Sequence, residues 1–539
     1  MILATRFYRT LLAFLFSVAM VTIAIEWFEF SQNLLSFPTL WLVIAGLIFP
    51  VYVWMLPPAL IVSRKLWPAG LFALGAIFLV PFIFLWETFG TADFGSLLTS
   101  IYENPPQELL SVGLGSLGQP ILEHTLILIV IIVGGIVFTR RVPYFGYCAV
   151  AISIPFFVAS PVTEYAYRYF VPNPHHALLN LDEDLTPPMI IERPSQPKNV
   201  IYIYLESIER TYRDVEATAD AFAPLAELED KGLSFDQLFT AYGLHFTAGG
   251  MIGTQCGVPL LPNGIRNVRK QIREGTDNEV LQFEGFMDNV VCLGDILAED
   301  GYIGSYMNGS DLAVFSKGKI FQSHGWERVF GVNSLPGSRA ETYENVWGLN
   351  DDTLFEYAKT ELEYLVGTDR PFMMAMLTIS THGPDAELDE GCDYPQVADS
   401  YIPAAIYCTG QHVNRLLDKL DELGVRDDTI VVVLSDHLSM RNTVWDQLRS
   451  AGNARRNYAV VLGAGESGVV SKVGNGMDLY PTVLELLGYR LKDGRANMGV
   501  SLLNDRPTLA GRSEEPQDVS RMVKQNRPLQ DLLWNDVIN

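Results

Sequence analysis

The first third of the chain carries long runs of apolar residues with few interruptions. Five of them precede residue 165: Phe7 to Trp27, Phe37 to Leu56, Trp67 to Trp86, Ile121 to Thr139 and Tyr144 to Val162. A helix of about 20 residues crosses roughly 30 Å of hydrocarbon. The pattern therefore predicts a transmembrane domain of five helices over residues 1–163. A buried core helix would explain a single run, but five in series rarely have that origin.

Basic residues predict the orientation of these spans. All of those before residue 163 occur at three places: Arg6 and Arg9, Arg64 and Lys65, and Arg140 and Arg141. If the spans alternate in direction, these places lie on one side of the membrane, and the positive-inside rule makes that side cytoplasmic. The N-terminus is then cytoplasmic. Because the number of spans is odd, everything after Val162 lies outside the cytoplasm.

After the last apolar run the pattern changes. Residues 164–198 are rich in Pro, His and acidic residues and predict a linker. Short β-rich runs then alternate with amphipathic segments. The predicted strands are NVIYIYLES from Asn199, Gly301 to Met307, FMMAMLTIS from Phe372 and TIVVVLSDH from Thr429. The predicted helices are Asp214 to Lys231, Val290 to Asp300 and DLYPTVLELLG, which has Pro481 near its start and Gly488 after its end.

Strands that alternate with helices are typical of an α/β domain with a mostly parallel central sheet. We assign this domain to residues 199–505 and a C-terminal tail to residues 506–539.

Composition agrees with this division. The mean hydropathy is +0.17 and 49% of the residues are hydrophobic, an excess that lies in the first third. Nearly all of the net charge of −24 lies after residue 163, where 32 basic residues face 55 acidic ones. Because phosphate binding needs a basic face, this balance argues against a nucleic acid as partner.

Cysteine usage also fits an exported domain. Cys148 lies in a predicted span, whereas the other four form an even number in an oxidising compartment. Pairing of neighbours is favoured, Cys256 with Cys292 and Cys392 with Cys408, although four cysteines allow three connectivities. No CxxC spacing indicates a zinc ribbon.

Candidate chemistry lies where two predicted strands end. Glu206 ends NVIYIYLES, and Asp436 and His437 end TIVVVLSDH. In an open α/β sheet this carboxyl edge is where ligands bind. Two carboxylates and an imidazole suit Mn, Zn or Mg. For Asp436 and His437 taken alone, a capping aspartate beside a surface histidine explains the pair equally well.

Thr247, in the run HFTAGG, is a candidate nucleophile. A threonine hydroxyl needs a base or a metal to become reactive, and a metal at the carboxyl edge would lower its pKa. The small residues Ala248, Gly249 and Gly250 allow a helix N-terminus to open there and to receive an anion such as phosphate. Taken alone, Thr247 fits a simple helix cap as well.

Other side chains could contact an anionic substrate. His382, in TISTHGPD, follows another predicted strand and could bond a phosphate oxygen or protonate a leaving oxygen. Phe315 and Lys317 could supply an aromatic wall and a cation, with Lys319 or His324 assisting. The alternative for His382 is a histidine in a turn without a functional role. The alternative for the segment with Phe315 and Lys317 is a solvent-exposed basic turn.

Five motifs in order resemble a known pattern: NVIYIYLESIERTY, FTAGGMIGTQCGVPLL, TISTHGP, VVVLSDH and DLYPTVLELLG. Together they resemble the membrane-anchored branch of the alkaline phosphatase and sulfatase superfamily. Within it, the chain is similar to bacterial phosphoglycerol transferases that modify osmoregulated periplasmic glucans, which are related to lipoteichoic acid synthase. The resemblance covers the exported domain, and the predicted five-span anchor matches the family too.

The resemblance implies a role for each matching residue. Glu206, Thr247, Asp436 and His437 would hold one divalent metal ion, with manganese expected and zinc or magnesium as alternatives. Thr247 would also be the nucleophile, and His382 would contact the substrate phosphate. Phe315 and Lys317 stand where lipoteichoic acid synthase has Trp and Arg, so head-group recognition is expected to differ.

The implied reaction is transfer of phosphoglycerol from phosphatidylglycerol to a periplasmic glucan. It passes through a phosphoglyceryl-threonine and releases diacylglycerol. The enzyme would be a multi-pass protein of a bacterial inner membrane with a periplasmic catalytic domain.

Three alternative functions are compatible with parts of the sequence. A phosphoethanolamine transferase is the nearest, but those enzymes carry Gly-Glu-Thr where this chain has LES. Sulfatase chemistry is disfavoured, because CGVPLL at Cys256 lacks the Pro and Arg positions that formylglycine maturation needs. A non-catalytic sensor would not need all four candidate metal ligands.

Overall fold

The computed structural model describes most of the chain after residue 159. The described residues are 160–170, 179–262, 286–335, 347–389, 391–394, 400–524 and 526–534, together with scattered helical positions between 70 and 136. The chain divides into two compact units, one of Met1–Phe94 with Leu117–Phe170 and one of Gly95–Ser116 with Val171–Asn539.

The described part of the first unit is helical. Its clearest element is α1 (Pro161–Phe170). The five predicted spans lie mainly outside the described residues. Among the residues that are described, no helix combines the length and apolar character needed to cross a membrane.

The second unit contains twelve strands among its described residues. They are β1 (Ile190–Glu192), β2 (Asn199–Leu205), β3 (Leu233–Phe235), β4 (Ile303–Asn308), β5 (Arg328–Phe330), β6 (Phe372–Leu377), β7 (Thr429–Ser435), β8 (Ala459–Leu462), β9 (Gly468–Val470), β10 (Arg490–Leu491), β11 (Arg495–Ala496) and β12 (Gly499–Val500).

Helices separate most of these strands. They are α2 (Leu181–Asp184), α3 (Ala223–Lys231), α4 (Thr247–Cys256), α5 (Leu293–Glu299), α6 (Lys317–Ser323), α7 (Asp351–Val366), α8 (Ile402–Glu422), α9 (Trp445–Ser450), α10 (Gly476–Leu486), α11 (Asp518–Val523) and α12 (Arg527–Trp534). Short 3-10 helices are Arg210–Asp214, Val314–Ser316, Gly452–Ala454 and Lys492–Gly494.

Eight strands form the central sheet in the order β5-β4-β6-β2-β7-β8-β3-β9. Every neighbouring pair is parallel except for β8, which runs antiparallel to both β7 and β3. The predicted α/β domain with a mostly parallel sheet is therefore confirmed. In the central strands β2, β6 and β7 every residue except the half-buried Asn199 is buried, as expected of parallel strands covered on both faces.

Alternate residues of β2 enter two different cores. Val200, Tyr202 and Tyr204 pack on one face with residues of α4, α5 and α10. Ile201 and Ile203 pack on the other face with residues of α3, α7 and α8. The period of two along a strand thus builds a three-layer α/β/α domain around the sheet.

The register of the central strands brings their carboxyl ends together. Leu205 pairs with Ser435 across β2 and β7, and Tyr204 pairs with Leu377 across β2 and β6. The chain after each of these strands therefore leaves the sheet at one edge. Glu206 and Asp436 follow directly, and His382 follows five residues after Leu377.

Two predicted helices begin elsewhere in the structure. The segment Asp214 to Lys231 is helical only from Ala223, because Pro224 fits the first turn of a helix but not its interior. Pro481 was expected near the start of its helix, yet α10 begins at Gly476 and Pro481 lies inside it. Asn475 caps α10, since its side chain accepts a hydrogen bond from Met477 N.

Parts of the predicted linker and tail pack onto the domain. Ile190 of β1 pairs with Leu491 of β10, and buried Asp184 forms an ion pair with Arg512. In the tail, α12 is attached by hydrogen bonds from Trp534 Nε1 to Leu261 O at 2.8 Å and from Gln530 to the carbonyl of Pro262. Leu529 and Leu533 of α12 belong to the core.

Two disulfide bonds join the cysteines that neighbour one another along the chain, as the sequence favoured. Cys256 pairs with Cys292 and Cys392 with Cys408. The first bond links the last residue of α4 to the residue before α5.

Helix α4 approaches the end of β7 more closely than a helix with side chains could. A Cβ added to Gly250 would lie 1.7 Å from the backbone oxygen of Asp436, and one added to Gly249 would lie 2.2 Å from Gly243 O. The glycines thus let the N-terminus of α4 press against the strand end that carries Asp436. Helix α4 is also fixed to β2, since Thr254 Oγ1 lies 2.8 Å from Tyr204 OH.

Gly250→Ala is expected to lower the stability of the domain, because the new methyl group meets backbone that cannot rotate away. The free energy of unfolding should fall by about 1–3 kcal/mol or more, which a thermal unfolding midpoint of the full-length protein would detect. Gly476→Ala is the matched control, since its Cβ would find only ordinary contacts at 3.5 and 3.8 Å. Equal midpoints for the two variants would contradict the close approach.

Candidate active site

Four of the residues singled out in the sequence lie together at the carboxyl edge of the sheet. Thr247 Oγ1 is 3.5 Å from Glu206 Oε2 and 3.5 Å from His437 Nε2. His437 Nε2 lies 3.5 Å from Glu206 Oε1 and 3.3 Å from Asp436 Oδ2. Ligand atoms of Glu206, Asp436 and His437 all lie within 4.8 Å of one another. These side chains are close enough to contact one common ion.

Asp436 has one satisfied and one unsatisfied oxygen. Its Oδ1 accepts hydrogen bonds from Ser207 N at 2.9 Å and His437 N at 2.8 Å. Its Oδ2 is buried and accepts no hydrogen bond from the described residues. Burial and the nearby carboxylate of Glu206 raise the pKa of Asp436 to about 8. A buried acceptor of this kind calls for a cation.

Backbone carbonyls orient both histidines. His437 Nδ1 lies 2.7 Å from Leu438 O, and His382 Nδ1 lies 2.7 Å from Gly383 O. A carbonyl oxygen only accepts, so each Nδ1–H donates and each Nε2 carries the lone pair in the neutral ring. In His437 that nitrogen faces Thr247 and the two carboxylates. This orientation is the one that a metal-binding imidazole needs.

Glu206 is held by the loop that follows β6. Its backbone N–H donates to Thr378 Oγ1 at 2.9 Å, and its carbonyl accepts from the hydroxyl of Thr381. Ser207 Oγ donates to Glu206 Oε1 at 2.8 Å. Burial alone would raise the pKa of Glu206, but His382 and His437 outweigh it and lower that pKa. Glu206 is therefore a fixed carboxylate.

The pKa values of the two histidines are shifted in opposite directions. Burial would lower the pKa of His437, but Asp436 and Glu206 outweigh burial and raise it. For His382 burial outweighs the effect of Glu206 and lowers the pKa, and His437 and Lys317 lower it further. His382 Nε2 lies 4.0 Å from Glu206 Oε1, farther from the carboxylates than His437.

Thr247 is the first residue of α4, after Phe246 in extended conformation. Its side chain is nearly buried, with 8% of the residue exposed. Backbone N–H groups at a helix start point toward the space beside the Thr247 hydroxyl, and they favour an anion there. A phosphate group can therefore approach this hydroxyl from the N-terminal end of α4.

The donor set fits one divalent metal ion. Two carboxylates, one imidazole and one hydroxyl converge, and one carboxylate oxygen lacks a hydrogen bond. The described residues contain one further cluster of potential ligands, Cys256, Cys292 and His324. Its cysteines form a disulfide, so they are not thiolate ligands. His324 instead lies 2.9 Å from Asp295 Oδ2 and 2.8 Å from Phe286 O, away from the site.

Lys317 and Phe315 lie in a strained turn beside the site. Phe315 and Ser316 have positive φ angles of 55° and 53°, and α6 begins at Lys317. The Phe315 ring lies 5.9 Å from the ring of Phe246, which precedes Thr247. Lys317 is buried and donates to Ser310 Oγ at 2.6 Å. An aromatic wall and a cation thus stand near Thr247 and His382.

Sequence reasoning missed two parts of this arrangement. Ser310 Oγ donates to Asn308 Oδ1 at 2.8 Å, so a polar chain supports Lys317 from the end of β4. The Trp347 ring lies 3.8 Å from that of His382, with the two planes at 31°. The polar run MNGSD at the end of a predicted strand is a sequence feature that indicates the polar chain through Asn308 and Ser310. Trp347 lies in a loop without periodicity, so no local pattern indicates it.

Residues 198–489, more than half of the chain, match the sulfatase family. Phosphoglycerol transferase I of Escherichia coli SMS-3-5 is 31% identical over 300 residues, which cover 55% of this chain and 38% of that protein. The protein of the same name from Shigella boydii serotype 18 is 30% identical with the same coverage. The match thus spans about two fifths of the length of these relatives.

Solved structures show related but distant likenesses. The lipoteichoic acid synthase LtaP of Listeria monocytogenes has a TM-score of 0.48 and 16% identity, over 64% of this chain and 95% of that one. A Vibrio parahaemolyticus protein of the alkaline phosphatase superfamily has a TM-score of 0.47 and 19% identity, over 60% and 73%. From the family match, the chain belongs to the sulfatase family.

Proposed function

We propose that the chain is a metal-dependent transferase that moves a phosphoglycerol group from phosphatidylglycerol to a periplasmic glucan. The observation that carries this proposal is the position of Thr247, whose hydroxyl oxygen lies 3.5 Å from both Glu206 and His437. The sequence relatives named phosphoglycerol transferase I support the transferred group. The glucan acceptor and the lipid donor rest on the resemblance of the motifs.

The reaction proceeds in two displacements at phosphorus. In the first, Thr247 Oγ forms a bond to the phosphorus of the lipid, and the bond from phosphorus to the diacylglycerol oxygen breaks. In the second, an acceptor hydroxyl attacks the same phosphorus, and the bond to Thr247 Oγ breaks. The leaving diacylglycerol oxygen gains a proton in the first step, and Thr247 Oγ regains one in the second.

Glu206, Asp436, His437 and Thr247 would hold one divalent ion, with manganese as our proposal and zinc or magnesium as alternatives. Superfamily members generally use a divalent metal. Such an ion lowers the pKa of a coordinated hydroxyl and offsets charge on the phosphoryl oxygens. The unsatisfied Oδ2 of Asp436 supports the assignment.

His382 serves as the proton carrier in this proposal. Its Nδ1–H is engaged with Gly383 O, so Nε2 gives and takes the proton. A lowered pKa suits this role, because the ring is then neutral enough to accept a proton and acidic enough to return it. Lys317 binds the phosphate or glycerol oxygens of the substrate, and Phe315 covers its apolar side.

The predicted location completes the proposal. In this proposal the five predicted spans anchor the domain to the inner membrane of a bacterium, outside the cytoplasm. A lipid donor then diffuses to the enzyme within the bilayer, while the glucan arrives from the periplasm. The two disulfide bonds support an oxidising compartment.

Thr247→Ala is expected to abolish transfer, with a loss of roughly 10⁴-fold or more in the rate of diacylglycerol release from phosphatidylglycerol. The fold should survive, since only a hydroxyl and a methyl group are removed. Mass spectrometry of the wild-type protein after incubation with the lipid should show the addition of one glycerophosphate group. Peptide analysis should locate this group on the peptide that contains Thr247. Normal release by Thr247→Ala would refute the nucleophile. A phosphoethanolamine adduct after a parallel incubation with phosphatidylethanolamine, with no adduct from phosphatidylglycerol, would replace the proposed donor.

His437→Gln is expected to remove the stabilisation that manganese gives the wild-type protein. A ligand present at 100 times its dissociation constant stabilises a fold by about 2.7 kcal/mol, which thermal unfolding with and without Mn²⁺ would measure. His324→Gln is the control, since this histidine is also buried but lies beside the disulfide. If His437→Gln keeps the full manganese shift, the assigned ligand set is wrong.

Lys317→Met is expected to weaken substrate binding while leaving the metal site intact. Loss of a charge-assisted hydrogen bond weakens the free energy of substrate binding by about 1.5–3 kcal/mol. The KM for phosphatidylglycerol should therefore rise at least tenfold. Lys319→Met is the control, because residues two apart on a helix point in different directions. An unchanged KM in Lys317→Met, with unchanged metal binding, would remove Lys317 from the substrate site.

A further inference from the structure

A short segment beside the site is used by none of the steps above. It runs from Trp347 to Asp351, the first residue of α7, and is called here the 347–351 segment. It contacts two of the loops that carry site residues, the loop after β6 with His382 and the loop after β4 with Ser310.

The first contact covers the ring of His382. The Trp347 and His382 rings are tilted by 31° and their centroids lie 3.8 Å apart. The other constraint on this imidazole is the hydrogen bond from its Nδ1 to Gly383 O. The stacking on Trp347 and the hydrogen bond from Nδ1 together fix the orientation of the His382 ring. In this orientation Nε2 points toward Glu206. The indole therefore controls the direction of the atom that moves the proton.

The second contact fixes the backbone of the same loop. Asp351 is fully buried, and its Oδ1 accepts hydrogen bonds from Ile379 N at 2.6 Å and Ser380 N at 3.1 Å. In return Asp351 N donates to Ser380 Oγ at 3.0 Å. These bonds lie two and three residues before His382.

The loop held by Asp351 also carries the side chains that hold Glu206. Thr378 Oγ1 accepts from Glu206 N, and the hydroxyl of Thr381 donates to Glu206 O. A movement of this loop would therefore displace His382 and Glu206 together. Asp351 controls both groups through backbone bonds, without touching either.

The third contact ties the segment to the opposite side of the site. Leu349 N donates to Gly309 O at 2.9 Å, next to Ser310, which receives the bond from Lys317. The approach is close, since a Cβ on Gly309 would lie 2.6 Å from Leu349 O. The segment thus spans from the lysine side of the site to the histidine side.

We propose that Trp347 and Asp351 are positioning residues for phosphoryl transfer, which set the distance and direction of His382 relative to Glu206 and Thr247. The inference rests on the proposed function, because it assigns a task to residues that act through His382. It also explains why a carboxylate is placed in the core. Burial and the nearby Asp389 raise the pKa of Asp351 to about 7, an unfavourable setting that the loop contacts offset.

The domain offers a matched control for Asp351. Asp478 is also buried in the first turn of a helix, and its carboxylate accepts from two backbone N–H groups, Asn475 N and Val500 N, each at 2.9 Å. Its pKa is likewise raised to about 7 by burial. Asp478 holds β12 to α10, however, and neither of its bonded residues belongs to the loop of His382.

The first experiment compares Asp351→Ala with Asp478→Ala in the full-length protein. Both should lower the unfolding midpoint by similar amounts. Only Asp351→Ala should lower kcat strongly, by about 100-fold, as expected when a catalytic group moves by about 1 Å. Its KM should change little. Asp351→Asn, whose amide oxygen can still accept from Ile379 N and Ser380 N, should recover most of the lost kcat.

The second experiment follows His382 directly. Wild type, Trp347→Leu and Trp347→Phe are treated with diethylpyrocarbonate, and modification of the His382 peptide is timed by mass spectrometry. The side chain of His382 is 14% exposed, so the reagent can reach it. Trp347→Leu should react severalfold faster than wild type, whereas Trp347→Phe, which keeps a stacked ring, should react at nearly the wild-type rate.

Two results would overturn the inference. One is a kcat loss as large in Asp478→Ala as in Asp351→Ala, which would make the effect one of general stability. The other is an unchanged labelling rate in Trp347→Leu. If Asp351→Ala fails to fold, kcat is measured in Trp347→Leu and Trp347→Phe instead. If wild-type protein releases no diacylglycerol from phosphatidylglycerol, the proposed function fails, while the labelling rates still test the positioning of His382.

Discussion

Two carboxylates buried side by side, Glu206 and Asp436, are the constraint on which the rest of the site depends. Like charges in a water-poor environment repel strongly, and the raised pKa of Asp436 expresses that repulsion. The two histidines compensate in part, since they lower the pKa of Glu206. The divalent cation that we propose would contact both carboxylates and complete this compensation. The hydroxyl of Thr247, at 3.5 Å from Glu206 and from His437, would lie in the field of the proposed cation.

Much of this arrangement could be predicted from the sequence because it depends on strand ends. Glu206 and Asp436 each follow a run of apolar β-branched and aromatic residues, and parallel strands end at the same edge. The register then decides the separation: Leu205 opposite Ser435 places the next residue of each strand side by side. His382 follows the third such strand. The two disulfides were predictable for another reason, since cysteines close in sequence are the simplest to bring together.

The remainder depends on tertiary contacts that leave no local pattern. Helix α8 is different: its 21 residues carry an apolar stripe that includes Ile406, Val413 and Leu420, which is a local pattern, but the helix is not among those predicted above. The 347–351 segment has no periodicity at all. Its importance arises from what it contacts, the loops after β4 and β6. The prediction that a helix begins at Asp214 was wrong, and the sequence contains the reason. Pro224 fits only the first turn of a helix, so it indicates a start near Ala223.

Glycines explain how so many charged groups fit into one small volume. Gly250 brings the N-terminus of α4 against Asp436 O, and Gly309 brings the loop after β4 against Leu349 O. In each place a missing side chain lets backbone approach backbone, so that side chains from different elements converge on the same point. Such close approaches tolerate little movement. We infer that the rigidity of α4 and the 347–351 segment serves the site directly. The proposed metal ligands come from three separate stretches of chain, and they keep their geometry only if the backbone under each of them is fixed.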